Sequence, residues 1–139
     1  MSKEDKKNTV QSAGKRKRAI ARTTIRKGTG KIRINRIPLD LFSTKINQLR
    51  IREPLIIAGD VVSKMNIDVN VFGGGVSSQT DAARLSIAKA IIEFTKSDEL
   101  RKKYLEYDRT LLVADTRYKE VRKPMTHSKA RRKRQQSYR

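Results

Sequence analysis

Cysteine and tryptophan are absent from this chain, and histidine occurs once, at His127. Without cysteine there is no disulfide framework, no thiolate nucleophile and no cysteine-ligated zinc, which fits a reducing compartment. A single histidine builds neither a multi-histidine metal site nor a triad with a serine nucleophile. Long apolar runs are missing too. The longest, Leu55-Ile56-Ile57-Ala58 and Ala90-Ile91-Ile92, fall far short of the roughly 20 residues that cross a bilayer. The charged, polar start, Met1 to Ser12, is not followed by an apolar signal segment, so a cytoplasmic location is expected. Together these absences disfavour enzyme chemistry, and no cofactor, metal, membrane or small-molecule substrate is expected.

Acidic residues are scarce as well: 14 Asp plus Glu stand against 34 Lys plus Arg, a formal net charge of +20 over 139 residues. A length of this order holds one domain with one modest core, and a field of this sign selects polyanions, nucleic acid first. The excess is unevenly placed. Residues 1–27 hold ten basic and two acidic side chains, residues 28–115 fourteen and eleven, and residues 116–139 ten and one. The ends therefore carry +8 and +9 and the middle only +3, so the middle reads as the folded part and the ends as the binding parts. Residues 116–139 have too few apolar side chains to offset the cost of ordering, so a disordered tail is expected in isolation. Fully extended, it reaches on the order of 80 Å at ~3.3 Å per residue, farther than the domain is wide.

Within the middle, Arg18 to Arg26 alternates as a strand does, and Lys27-Gly28-Thr29-Gly30-Lys31 supplies two glycines before the alternating Ile32 and Ile34. This predicts a β-hairpin. Met65, Ile67, Val69 and Val71 alternate with Asn66, Asp68 and Asn70, a third strand with one apolar face. Between them, Pro54 at a helix-initiating position and Gly59 at a stop predict a short helix. Ala82 to Phe94 has helical spacing, with Ser78 and Asp81 reading as a capping box. A further helix is expected over Asp98 to Tyr107, and Leu111 to Ala114 reads as a short strand or turn. The order predicts an α+β domain with helices on one face of the sheet.

Three features carry chemistry. Gly73-Gly74-Gly75, between a strand and a helix start, is either a phosphate cradle or a turn that needs positive φ and close helix packing. It is no Walker motif, because no Lys-Ser/Thr follows at the required spacing, and it does not match GxGxxG, since Ser78 stands in the sixth place. The runs Lys15-Arg16-Lys17-Arg18 and Lys129, Arg131, Arg132, Lys133, Arg134 are candidate phosphate contacts, as are Arg22, Arg26, Arg117, Lys119, Arg122 and Lys123. Either run alone could be a solvated face or a localisation signal; arginine-rich segments at both ends fit RNA recognition better. Tyr118 and Tyr138, set among the tail cations, are placed to stack on unpaired bases or to lie solvated. His127 in the same tail reads as an RNA-facing polar group, and Asp98-Glu99 as helix-start charges.

The segments GKRKRAIARTTIRKGTGKIRINRIPL, VFGGGVSSQTDAARLSIAKAI and DTRYKEVRKP with KARRKRQQSYR, in this order from Gly14 onward, resemble the universal family of small-subunit ribosomal protein nine. Leu111 to Asp115 and the ending Ser137-Tyr138-Arg139 are most similar to its archaeal and eukaryotic branch. The resemblance implies a single α+β domain with a roughly four-stranded mixed sheet, like the second domain of ribosomal protein five, and an extended basic C-terminal tail. It implies a body over 14–115 that binds small-subunit rRNA in the head and a tail over 116–139, which leaves residues 1–13 as an expected flexible N-terminal extension. It also implies that Arg139, with Tyr138 beside it, contacts the anticodon stem-loop of peptidyl-site tRNA, and that other head proteins adjoin. Residues 1–13 lie outside the resemblance, and Tyr138 stands where bacterial members carry lysine. A nonspecific, chromatin-like DNA-binding protein is the alternative that charge alone leaves open. A small-molecule kinase shares the implied fold, but no lysine or carboxylate constellation is evident beside Gly73–Gly75.

Overall fold

In the computed structural model, which describes residues 9–124, 126 and 129–131, the first element is a strand that begins ahead of the expected domain boundary. β1 spans Thr9–Arg16 and pairs antiparallel with β2, Ala19–Lys27, in a register that sets Arg16 opposite Ala19 and Thr9 opposite Arg26. Thr9 to Ala13 therefore belong to the sheet, a correction to the extension read over 1–13: their backbone ladders with β2 whatever their side chains.

A second correction concerns the hairpin. β2 does not return into β3, Ile32–Ile34; β5, Met65–Phe72, lies between them, antiparallel to β2 and parallel to β3. The sheet runs β1-β2-β5-β3-β4, with β4 the short Ile37–Pro38, so five strands replace the four expected. The Gly28 and Gly30 N–H groups donate to the carbonyls of Lys64 and Met65 at 2.9 and 3.0 Å, and the Asn66 side chain accepts from the N–H of Thr29 and Lys31. That loop is stitched to β5 rather than to itself. The tight turns fall at Lys17-Arg18 and at Asn35-Arg36, where Lys17, Asn35 and Arg36 take positive φ. Asn35 also adds a rung, donating to the Val71 carbonyl and accepting from the Val71 N–H at 3.0 and 2.8 Å.

Three helices follow: α1, Lys45–Ala58; α2, Val76–Thr95; and α3, Asp98–Tyr107. Ala19, Ala21, Thr23 and Ile25 of β2 and Met65, Ile67, Val69 and Val71 of β5 are buried beneath them, so the sheet has one covered and one open face. Small residues on α2, Ala82, Ala83, Ser86 and Ala90, let β1 and β2 approach closely, and Thr23 Oγ1 meets Ser86 Oγ at 2.7 Å.

Two helix starts differ from expectation. α1 begins nine residues before Pro54, which stands in its interior, where its missing N–H leaves the Arg50 carbonyl without the usual helical donor. Gly59, at φ 63°, ends that helix as expected. α2 begins at Val76 behind Gly75, so Ser78 is its third residue and caps nothing; Asp81 turns instead toward Arg16 and Arg50. Beyond α3, a turn of 3-10 helix over Arg109–Leu111 buries Leu111, and no strand forms over Leu111 to Ala114.

Tyr104 of α3 is fully buried and its hydroxyl donates to the Pro54 carbonyl at 2.6 Å; burial pushes its pKa up, so the phenol stays protonated. Tyr104→Phe keeps the ring and removes this link between α3 and α1. The expected loss is about 1–2 kcal/mol, read as a lower midpoint with an unchanged slope in denaturant unfolding.

Candidate nucleic-acid interface

The open face of the sheet takes its character from residue parity. Opposed residues share a face, so the registers line up Lys15, Ile20 and Phe72 in one row, Ala13, Arg22 and Asn70 in the next, then Gln11, Thr24, Asp68 and Arg33. Thr9, Arg26 and Asn66 complete the face. Lys15, Arg22, Arg26 and Arg33 are all exposed, Asp68 is the one acidic residue among them, and none of the four cations makes an ion pair among the described residues. The Arg22 guanidinium stands 5.5 Å from the centre of the Phe72 ring, and Lys15 Nζ the same distance from the Tyr118 ring.

At the end of this face the fold joins two sequence-distant candidates. The basic β1–β2 turn abuts the glycine turn: a Cβ on Gly73 would stand 2.6 Å from the Arg18 carbonyl oxygen, and one on Gly74 3.0 Å from the Ala19 nitrogen. Gly73 and Gly74 have φ of 74° and 66°, so close packing and backbone conformation both explain them. A Cβ on Gly75 would meet nothing within 4 Å, and α2 opens there without a side-chain cap, directly after the two glycines that pack on the Arg18 and Ala19 backbone. The glycines thus satisfy the packing reading, while the uncapped helix end keeps the anion reading open.

Arg16 is placed otherwise. Its guanidinium meets Asp115 at 2.7 Å and Asp81 at 3.8 Å, and Arg117 meets Asp115 at 2.8 Å, so the root of the tail is tied to β1 and α2. Hydrogen bonds from Arg117, with the charge of Arg16 added, hold the Asp115 carboxyl far below the usual carboxylate range. Nearby, Arg84 joins Glu53 of α1 at 2.5 Å to Asp108 at 2.9 Å. Burial pushes Asp108 up, but hydrogen bonds from Thr110 and Arg84 outweigh it and leave the carboxyl below its ordinary value. These pairs line a polar cleft of about 550 Å³ between the helices and the tail root. Its cations and carboxylates largely answer one another, which makes it a brace at the junction.

Beyond Asp115 the described tail has no helix or strand through Lys123. Lys119 and Arg122 are exposed without an ion pair among the described residues, whereas Arg131 returns to Glu120 at 2.6 Å. The Lys123 N–H donates to the Lys129 carbonyl and the Lys129 N–H to the Thr126 carbonyl, so these described positions of the tail bond back on one another. Arg132, Lys133, Arg134, Tyr138, Arg139 and His127 lie outside the described residues.

The sequence reading missed Arg33 and Phe72. Arg33 alternates with Ile32 and Ile34, a signal that places it on a strand face without saying which strands flank it. Phe72 continues the polar parity of Asn66, Asp68 and Asn70, so an aromatic at that position is the clue. Among the described residues no group of acidic or histidine side chains could hold a metal, and no helix is long and apolar enough to cross a membrane.

Comparison with known proteins places this basic scaffold. The model of the family described as ribosomal protein S9/S16 matches residues 14–139. The chain is 51% identical over 131 residues to the small ribosomal subunit protein uS9 of Methanococcus maripaludis strain C7, covering 94% of this chain and 98% of that protein. It is likewise 51% identical over 131 residues, with the same coverage, to small ribosomal subunit protein uS9 of Methanococcus vannielii. With an open cationic sheet face, a braced basic tail and a match that spans nearly its whole length, the chain belongs to the ribosomal protein S9/S16 family, a family of structural ribosomal proteins and not of enzymes.

Proposed function

We propose that this chain is a structural constituent of the small ribosomal subunit whose body binds small-subunit rRNA in the head and whose tail reaches the peptidyl-site tRNA during translation. The observation that carries the reading is the segregation of charge. Seventeen of the twenty excess positive charges lie in residues 1–27 and 116–139, and three of those cations, Lys15, Arg22 and Arg26, stand with Arg33 on the open face, uncommitted to carboxylates among the described residues. In this reading Lys15, Lys17, Arg18, Arg22 and Arg26 neutralise phosphates of folded rRNA, with the backbone of Gly73, Gly74 and Gly75 and the end of α2 beside them. Lys119, Arg122, Lys123, Lys129, Arg131, Arg132, Lys133 and Arg134 anchor the tail in RNA. Arg16 and Arg117, whose guanidinium groups already meet Asp115, set the direction in which the tail leaves the body. Arg139, with Tyr138 next to it, is presented to the anticodon stem-loop, and other head proteins adjoin.

The test is fractionation of cell lysate on sucrose gradients at physiological and raised salt, with this chain followed by mass spectrometry. Co-migration with the small subunit that survives moderate salt is expected, because many phosphate contacts act together in a folded particle. Migration with chromosomal DNA, or as free protein, would overturn the reading in favour of a generic polyanion binder.

A further inference from the structure

β5 carries asparagine, aspartate and asparagine on its open side at Asn66, Asp68 and Asn70, and then Phe72, whose side chain is 47% exposed. Nothing after it folds over the ring from the following positions, because Gly73, Gly74 and Gly75 have no side chains. Lys15 and Ile20 occupy the same row, and Arg22 approaches the ring from the neighbouring strand. At the sheet's edge Tyr118, 54% exposed, stands over Lys15. Two half-exposed rings, each with a cation beside it, thus bracket one row of a face whose other side chains, Ile20 and Ala13 apart, are polar or cationic.

We propose that Phe72 is a stacking platform for an unpaired RNA base, with Arg22 on the neighbouring strand β2 and, beyond Ile20, Lys15 on β1 taking the adjoining phosphates. This rests on the rRNA-binding reading and specifies which form of RNA that face takes. An apolar protein neighbour would cover Phe72 but strip water from Arg22 and Lys15 without replacing it. A duplex would meet the cations with its phosphates but keeps its base faces stacked inside, away from the ring. An unstacked nucleotide offers both a π-face and an adjoining phosphate, and so answers both kinds of group.

The full chain is titrated with a short single-stranded oligouridylate and with a blunt RNA duplex, at a salt concentration that screens most of the phosphate attraction, for the natural chain, Phe72→Leu and Phe72→Trp. Phe72→Leu keeps an apolar side chain and removes the ring. Its affinity for the single strand is expected to fall about five- to a hundredfold, with duplex affinity unchanged and Phe72→Trp close to the natural chain. Irradiation with an iodouridine-bearing strand should crosslink the peptide containing Phe72. Equal loss toward both RNAs, no loss toward either, or no crosslink at that peptide would overturn the platform while leaving RNA binding by the chain in place. Binding to neither RNA by the natural chain would overturn the rRNA reading and the platform with it. Circular dichroism of both variants separates loss of the ring from loss of the fold.

Discussion

Small subunits carrying a chain that lacks Gln136 to Arg139 are expected to assemble normally and to release peptidyl-site tRNA about tenfold faster. The reason lies in how charge is divided along the tail. Residues 116–139 contain ten basic side chains, and this deletion removes one, Arg139, so nine cations remain to neutralise rRNA. Assembly draws on the sum of those contacts and on the body, and it should tolerate the loss. In the proposed reading, contact with the tRNA draws on Tyr138 and Arg139 alone. A guanidinium bonded to a backbone phosphate contributes about 1.5–3 kcal/mol, and removal leaves a terminal carboxylate on Gln135 that can only repel the tRNA. The brace at the other end of the tail makes the loss local: Arg16 and Arg117 hold Asp115 whether or not the last four residues are present. Dissociation measured on purified subunits with labelled tRNA decides the matter, and an unchanged rate at normal occupancy of the chain would refute the tail's role.

Period and composition carried much of the fold into view, and long-range pairing carried the rest out of it. The alternation from Met65 to Phe72 is a strand in the structure with the expected face buried, and Asp98 to Tyr107 is a helix with Leu100 and Tyr104 inside. Strand order escaped, because two glycines spaced like a turn say only that the chain bends. Gly28 and Gly30 bend it against Lys64 and Met65, residues more than thirty positions away. The true β1–β2 turn, Lys17-Arg18, hid inside a basic cluster that reads as a binding signal and lacks the usual Asn-Gly chemistry. Pro54 was misplaced for a similar reason. A helix interior tolerates proline when tertiary packing outweighs one lost bond, and Pro54 is buried against α3, with its carbonyl bonded to Tyr104. On the functional side, the basic residues were legible one by one. Which of them answer to carboxylates depends on contacts such as Arg16 with Asp115, ninety-nine positions apart, which no local pattern reports.

Gly14→Ala is expected to destabilise the fold by about 1–3 kcal/mol, a fall in Tm of roughly 5–15 °C for a domain of this size. Gly14 is buried on the covered side of β1, opposite Ala21, where the strand presses against α2. A Cβ there would stand 2.3 Å from the Ala82 carbonyl oxygen and 2.8 Å from the Ser86 nitrogen, both backbone atoms that no rotamer change can move aside. Relief requires β1 to lift from α2, and two interactions resist that. One is the buried Thr23–Ser86 hydrogen bond on the adjoining strand; the other is the contact of Arg16, two residues on, with Asp81 of α2. The same displacement would loosen the Arg16–Asp115 tie and shift Lys15 on the open face, so weaker RNA binding should accompany the lost stability although Gly14 touches no RNA in this reading. Ala13→Ser, one residue earlier on the exposed side, should stay within about 0.5 kcal/mol of the natural chain. Thermal unfolding of the two variants side by side separates the cases. If Gly14→Ala proved as stable as Ala13→Ser, the close seat of β1 on α2 would not be what holds this edge of the sheet.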